Sequence, residues 1–228
     1  MATAVLVDGD FFLKQFRRLR GKREPDATAR SLHAMCLQHL HQKQESKRRA
    51  LYRIFFYDCP PLQKKAHNPV TGEAIDFSKS DVATFRHSLH QELCKQRKVA
   101  LRLGHLSDHQ KWIIKPHPGK RLLRGEISVN DLGPDDVQYS VRQKGVDMKI
   151  GLDIASLAYK KQVDQIVLIS GDADFVPAAK LARREGIDFV LDPMWRNIPS
   201  GLEEHVDGVR TVTPHPQSAA AGQAGDSE

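Results

Sequence analysis

Three short segments of this chain are built around aspartates, and their residue types point to one kind of chemistry. Val7-Asp8-Gly9-Asp10 stands near the start, Lys144-Gly145-Val146-Asp147 in the second half, and Ser170-Gly171-Asp172-Ala173-Asp174-Phe175 soon after it. Carboxylates gathered in one place repel each other, and a hard divalent cation held through oxygen and water offsets that repulsion. The pattern therefore offers Asp8, Asp147, Asp172 and Asp174 as ligands for Mg²⁺ or Mn²⁺. Taken singly, each has a purely structural alternative. Asp8-Gly9-Asp10 also reads as a turn, Asp147 as a helix cap, and Asp172 or Asp174 as the cap of the helix that follows. Only topology turns four separate aspartates into one site.

That topology is written in the hydrophobic pattern. Residues 4–7 and 166–169 are short, apolar on both faces and β-branched, the composition of strands covered on both sides in a parallel sheet. Residues 51–57, 99–103 and 187–191 read the same way. Between them lie apolar stripes at helical spacing. Ala29, Leu32, Cys36 and Leu40 follow a cap at Asp26, and Val82, Phe85, Leu89 and Leu93 form a second stripe. A third helix starts near Asp147 with Ile150, Ile154, Leu157 and Ala158 inward, and a fourth follows Asp174 and ends at Gly186. This alternation predicts an α/β fold, a three-layer α/β/α sandwich on a central, mainly parallel sheet of Rossmann-like kind. In such sheets ligands bind at the carboxyl ends of the strands, where Asp8 and Asp172 fall. Asp153 lies six residues after Asp147, about 240° around a helix, so it cannot face the same way and serves only as a secondary acidic candidate, with Asp10. Residues 104–140 break the rhythm: 111–115 and 120–124 flank Pro116-His-Pro-Gly119, which reads as a β-hairpin insertion. Thr213 to Glu228 has the composition of a disordered tail.

Charge adds the partner. The chain of 228 residues carries a formal net charge of +7, with 25 basic and 11 acidic residues in 1–124 against 10 and 17 in 125–228. A basic half suits a polyanion, above all nucleic acid. Lys14, Arg17 and Arg18 after the first strand, Lys144 beside Asp147, and Arg196 after the last core strand are the candidates to flank an acidic cleft and hold a phosphate backbone. Trp195 in the same loop is read as packed against the core rather than as a base-stacking platform.

Other classes fall away. No apolar run approaches the ~20 residues that cross a bilayer, so no membrane partner is expected. The first residues lack the pattern of a secretory signal, and the three cysteines form neither a disulfide framework nor a zinc set, which together give a cytoplasmic expectation. His39 with His41, or His87 with His90, have no acidic or cysteine partner nearby to complete a zinc site, and polar helix faces are their reading. GxSxG and GxxxxGK[ST] motifs are absent, which removes serine-triad acyl transfer and P-loop nucleotide hydrolysis.

The three aspartate blocks, with the second extended as Lys144-Gly145-Val146-Asp147-Met-Lys-Ile-Gly-Leu-Asp153 and the third as Ser170-Gly171-Asp172-Ala173-Asp174-Phe175-Val176-Pro177, resemble the signature blocks of the NYN domain family, in particular its LabA-like (DUF88) branch of the PIN-like nucleases. The resemblance covers about residues 3–212, and with it a single domain over 1–212 carrying an insertion at 104–140. It implies a PIN-like sandwich, divalent-metal-dependent nuclease activity and RNA, rather than DNA, as substrate, with catalytic and metal-binding roles for Asp8, Asp147, Asp172 and Asp174. The chain departs from the family at Asp10, where many members have Asn or Ser, and the role of the insertion does not transfer. Two other readings stay open at this stage: a PIN-like RNA-binding or regulatory protein without catalysis, and a haloacid-dehalogenase-like phosphatase using Asp8 and Asp10, although Phe12 stands where that family has Thr or Val. Self-association into a homo-oligomer is equally open.

Overall fold

The computed structural model describes residues 2–41 and 49–215. Its elements run β1 (Ala2–Asp8), α1 (Gly9–Arg20), α2 (Pro25–Gln38), β2 (Ala50–Asp58), β3 (Lys65–His67), β4 (Ala74–Asp76), α3 (Asp81–Lys95), β5 (Val99–Leu103), β6 (His105–Ile114), α4 (Pro116–Leu123), β7 (Val137–Lys144), α5 (Val146–Tyr159), β8 (Gln165–Ile169), α6 (Val176–Arg184), β9 (Asp188–Asp192), α7 (Ser200–Glu203) and β10 (Gly208–Val209). Six strands form one sheet in the order β10-β9-β8-β1-β2-β5, and every neighbouring pair is parallel. Among the described residues no helix is long and apolar enough to cross a membrane.

Alternation along the strands builds the two cores. In β1, Ala4 and Leu6 point to one face and Val5 and Val7 to the other, and all four are fully buried. The first pair packs with Ile150, Ile154 and Leu157 of α5 and Ala179 and Ala182 of α6. The second packs with Phe12 and Phe16 of α1, Leu32 and Cys36 of α2, and Leu89 and Leu93 of α3. Because both faces are covered, these strands are apolar throughout, and the three-layer α/β/α sandwich expected from the sequence is the observed architecture.

Several local expectations are corrected. Helix α1 follows β1 without a turn, so Lys14, Arg17 and Arg18 are helical residues. The cap of helix α2 lies two residues before the expected one: Glu24 occupies the cap position, Pro25 is the first helical residue, and Asp26 lies within the first turn. In α3 Leu89 and Leu93 are buried and Phe85 packs against the core as expected, but Val82 is exposed and Ala83 faces inward in its place. An antiparallel insertion is present, but its arms are β6 and β7. Pro116, expected at a hairpin tip, instead opens α4, where its missing N–H costs nothing. Of the expected tail, residues 216–228 lie outside the described residues, while Thr213 is buried and its carbonyl accepts a hydrogen bond from the Trp195 indole at 2.8 Å.

Candidate metal and nucleic-acid site

Asp8 is the last residue of β1 and also the N-cap of α1. Its Oδ1 accepts from the Phe11 backbone N–H at 3.2 Å and its Oδ2 from the Ser170 hydroxyl at 3.2 Å. The tight passage from strand to helix depends on Gly9, because a Cβ there would sit 2.5 Å from the Tyr57 carbonyl oxygen of β2. Burial raises the Asp8 carboxyl from 3.8 to about 6, and repulsion from Asp10 and Asp147 adds to it, while the Phe11 and Ser170 hydrogen bonds oppose. Asp147 stands in the first turn of α5, which Gly145 enters with φ of 79°. Its carboxyl is also raised, first by loss of water and then by the negative charges of Asp172 and Asp174. Asp172, two residues beyond the buried Ser170 at the end of β8, caps the short helical turn 173–175 by accepting from the Asp174 N–H at 3.0 Å.

These segments meet. Asp8, Asp10, Asp147 and Asp172 line one open cavity of about 450 Å³, together with Lys14, Gln143, Ser170 and Arg196. Asp174 does not line it, although its charge acts on Asp147. The donor set is all hard oxygen, and burial, with mutual repulsion added to it, raises two of its members, which suits a divalent cation. Among the described residues no group of three or more His, Cys, Asp or Glu side chains is placed to hold a metal ion as it stands, so the carboxylates of the lining would have to draw together, or act through water, to share one.

The remaining candidates separate. Asp10 forms an ion pair with Lys14 at 2.6 Å and accepts from Arg86 at 2.8 Å; burial alone would raise its carboxyl, but these two cations hold it below the usual value. Asp153 lies elsewhere, accepting from the Tyr57 hydroxyl at 2.8 Å and pairing with Arg102 at 3.0 Å. Of the basic candidates, Lys14 and Arg196 line the cavity. Arg17 stacks over the Phe85 ring at 5.0 Å, and Arg18 donates to the carbonyls of Met194 and Trp195 at 3.4 and 3.3 Å, so it braces the loop that carries Arg196. Lys144 is exposed at the end of β7, outside the cavity lining. Trp195 is not core: it stays 40% exposed, with one edge held by Thr213 and the His215 ring 4.7 Å away.

Sequence reasoning missed a buried polar cluster behind Asp10. Asp58, at the end of β2, is wholly buried and accepts from Arg86 and from His90, the latter at 2.9 Å. His90 is therefore not on a polar helix face, and His39, at the end of α2, is buried against Asp192 at 2.9 Å. The signal for Asp58 was available, because Phe55-Phe56-Tyr57-Asp58 ends an apolar strand in aspartate as β1 does.

Comparison with known proteins adds to this geometry. No curated protein matches the chain. The solved structure of a protein of unknown function, VPA0982 from Vibrio parahaemolyticus, aligns over 93% of this chain and 93% of its own, with a TM-score of 0.46 and 15% sequence identity, too distant to bear on function. Residues 125–207 match the family model of the NYN domain, a family of PIN-like nucleases. That span contains Asp147, Asp172 and Asp174 and two of the three aspartate blocks, so over residues 125–207 the resemblance read from the sequence is matched at the level of the NYN family.

Proposed function

We propose that the chain is a divalent-metal-dependent ribonuclease of the LabA-like branch, hydrolysing phosphodiester bonds in the cavity lined by Asp8, Asp147 and Asp172. The observation that carries this reading is that three aspartates from three separate segments, at the ends of β1 and β8 and the start of α5, share one cavity. Asp8, Asp147 and Asp172 would hold Mg²⁺ or Mn²⁺, with Asp174 acting through water, and the ion would supply a water of lowered pKa and stabilise charge on the phosphoryl oxygens.

The chain's own residues do the rest. Ser170 and the Phe11 N–H fix the orientation of the Asp8 carboxylate, which must be unprotonated to bind. Lys14 and Arg196 on the cavity rim supply the attraction for a phosphodiester that the carboxylates alone would repel. The phosphatase alternative needs Asp10 as a proton donor, and Lys14 and Arg86 instead favour its ionised form.

Incubating the purified chain with single-stranded RNA, structured RNA and DNA in Mg²⁺, Mn²⁺ or EDTA tests the proposal. RNA cleavage in either metal that stops in EDTA is the expected result. Phosphomonoester hydrolysis without strand cleavage, or binding without cleavage, would overturn it.

A further inference from the structure

Beside the acidic cavity lies a second groove of about 760 Å³ between α3 and the β6–β7 ribbon. The two are continuous, since Asp10 and Gln143 line both. Its walls differ from those of the acidic cavity. The loop after β2 contributes Pro61 and Leu62, the approach to α3 contributes Phe77, and β7 contributes Tyr139. The Phe77 and Tyr139 rings lie 5.1 Å apart at 39°, and Trp112 of β6 sets its ring edge-on to Tyr139 at 5.5 Å. Arg86 and Arg142 also line the groove. Asp10, the acidic residue in its lining, is already paired with Lys14 and Arg86.

We propose that this groove is a nucleobase subsite, seating one unpaired base of the strand whose phosphodiester enters the acidic cavity. The inference rests on the nuclease reading and names its substrate class as single-stranded. The volume falls in the range of small-molecule sites, roughly 300–1,000 Å³; Phe77 and the part of Tyr139 that Lys64, 5.3 Å from its ring centre, leaves uncovered offer a base an aromatic surface, and Lys64 adds a positive charge beside it. Arg142 in a mostly apolar wall suits a ligand that is flat and apolar in its base yet anionic in its backbone, Arg86 being held by Asp58 and Asp10. A peptide would gain the apolar contact but has no reason to follow the groove into a cavity built for phosphate. A base in a duplex is stacked on both sides and cannot enter a slot, so the groove selects for unpaired strands.

The test compares two ligands on the full chain carrying Asp172→Asn, in Mg²⁺, by fluorescence anisotropy: a labelled single-stranded RNA decamer and an abasic decamer with the same backbone. Tyr139→Ala should weaken binding of the RNA by about fivefold to a hundredfold and leave the abasic strand unaffected, while Tyr139→Phe, which keeps the ring, should bind both as the parent does. Equal weakening of both strands, or none, overturns the subsite and leaves the nuclease reading standing. Failure of the parent to bind either strand overturns both. A measurement that needs no variant in the groove guards against misfolding: RNA bearing 5-iodouridine, irradiated on the same chain, should cross-link to Tyr139 or Phe77, and cross-links confined to Trp195 or other residues would overturn the proposal.

Discussion

The Arg86 guanidinium of α3 donates to the Asp10 carboxylate of α1 at 2.8 Å, and with its other terminal nitrogen it also reaches the wholly buried Asp58. One side chain thus ties the floor of the acidic cavity to the core behind it. Arg86→Met would leave Asp58 buried with only His90 and a long contact from Gln143. Removing one partner of a buried ion pair costs about 3 kcal/mol or more, so thermal unfolding should begin roughly 6–12 °C lower. An unchanged melting temperature would show that Asp58 does not depend on this arginine.

Asp8 gives stability a pH dependence of defined sign. Its folded value of about 6 exceeds the ordinary 3.8, so the folded state holds the proton more tightly than the unfolded chain. The corresponding stabilisation is complete below the unfolded value and is lost as pH rises through about 6. In EDTA at pH 8, Asp8→Asn should be more stable than the parent, by on the order of 2–3 kcal/mol, and the difference should disappear only as the pH falls below the unfolded value of 3.8. Asparagine can still cap α1, which makes the comparison one of charge. Added Mn²⁺ should reverse the order, because only the parent gains from binding it. A parent more stable than the variant at pH 8 in EDTA would contradict this account.

Much of this was legible in the sequence, for a physical reason. Asp8 and Asp172 were readable because a strand buried on both faces must be apolar, so a carboxylate at its end marks where the sheet meets solvent. What escaped depends on contacts distant in sequence. Arg86 reaches Asp58 and Asp10 across 28 and 76 positions, and only the packing of α3 against the sheet decides that. Helix α1 was hidden because Asp8-Gly9-Asp10 has the composition of a turn, whereas Asp8 ends the strand and caps the helix at once. The insertion was misread locally because proline suits a hairpin tip and a first helical position equally well.

Binding of the ion should also change how the protein appears to RNA. The mild net charge of +7 includes the carboxylates that line the acidic cavity, and a divalent ion bound among them would turn a repulsive patch into an attractive one. RNA affinity should therefore rise several-fold when Mg²⁺ is added at constant ionic strength. Filter binding with Na⁺ adjusted to compensate measures this directly, and an unchanged or weaker affinity would contradict it.

On the proposed function, Asp147 and Asp172 belong to one metal-dependent cleavage site with Asp8. The most direct measurement is single-turnover cleavage of end-labelled single-stranded RNA in Mn²⁺ by the parent, Asp147→Asn and Asp172→Asn, with folding checked by circular dichroism. Both variants are predicted to keep the parent's fold and to lose about a hundredfold or more in rate, beyond what changing an outer contact to a metal ligand costs. Cleavage by either correctly folded variant at the parent's rate would place the chemistry elsewhere.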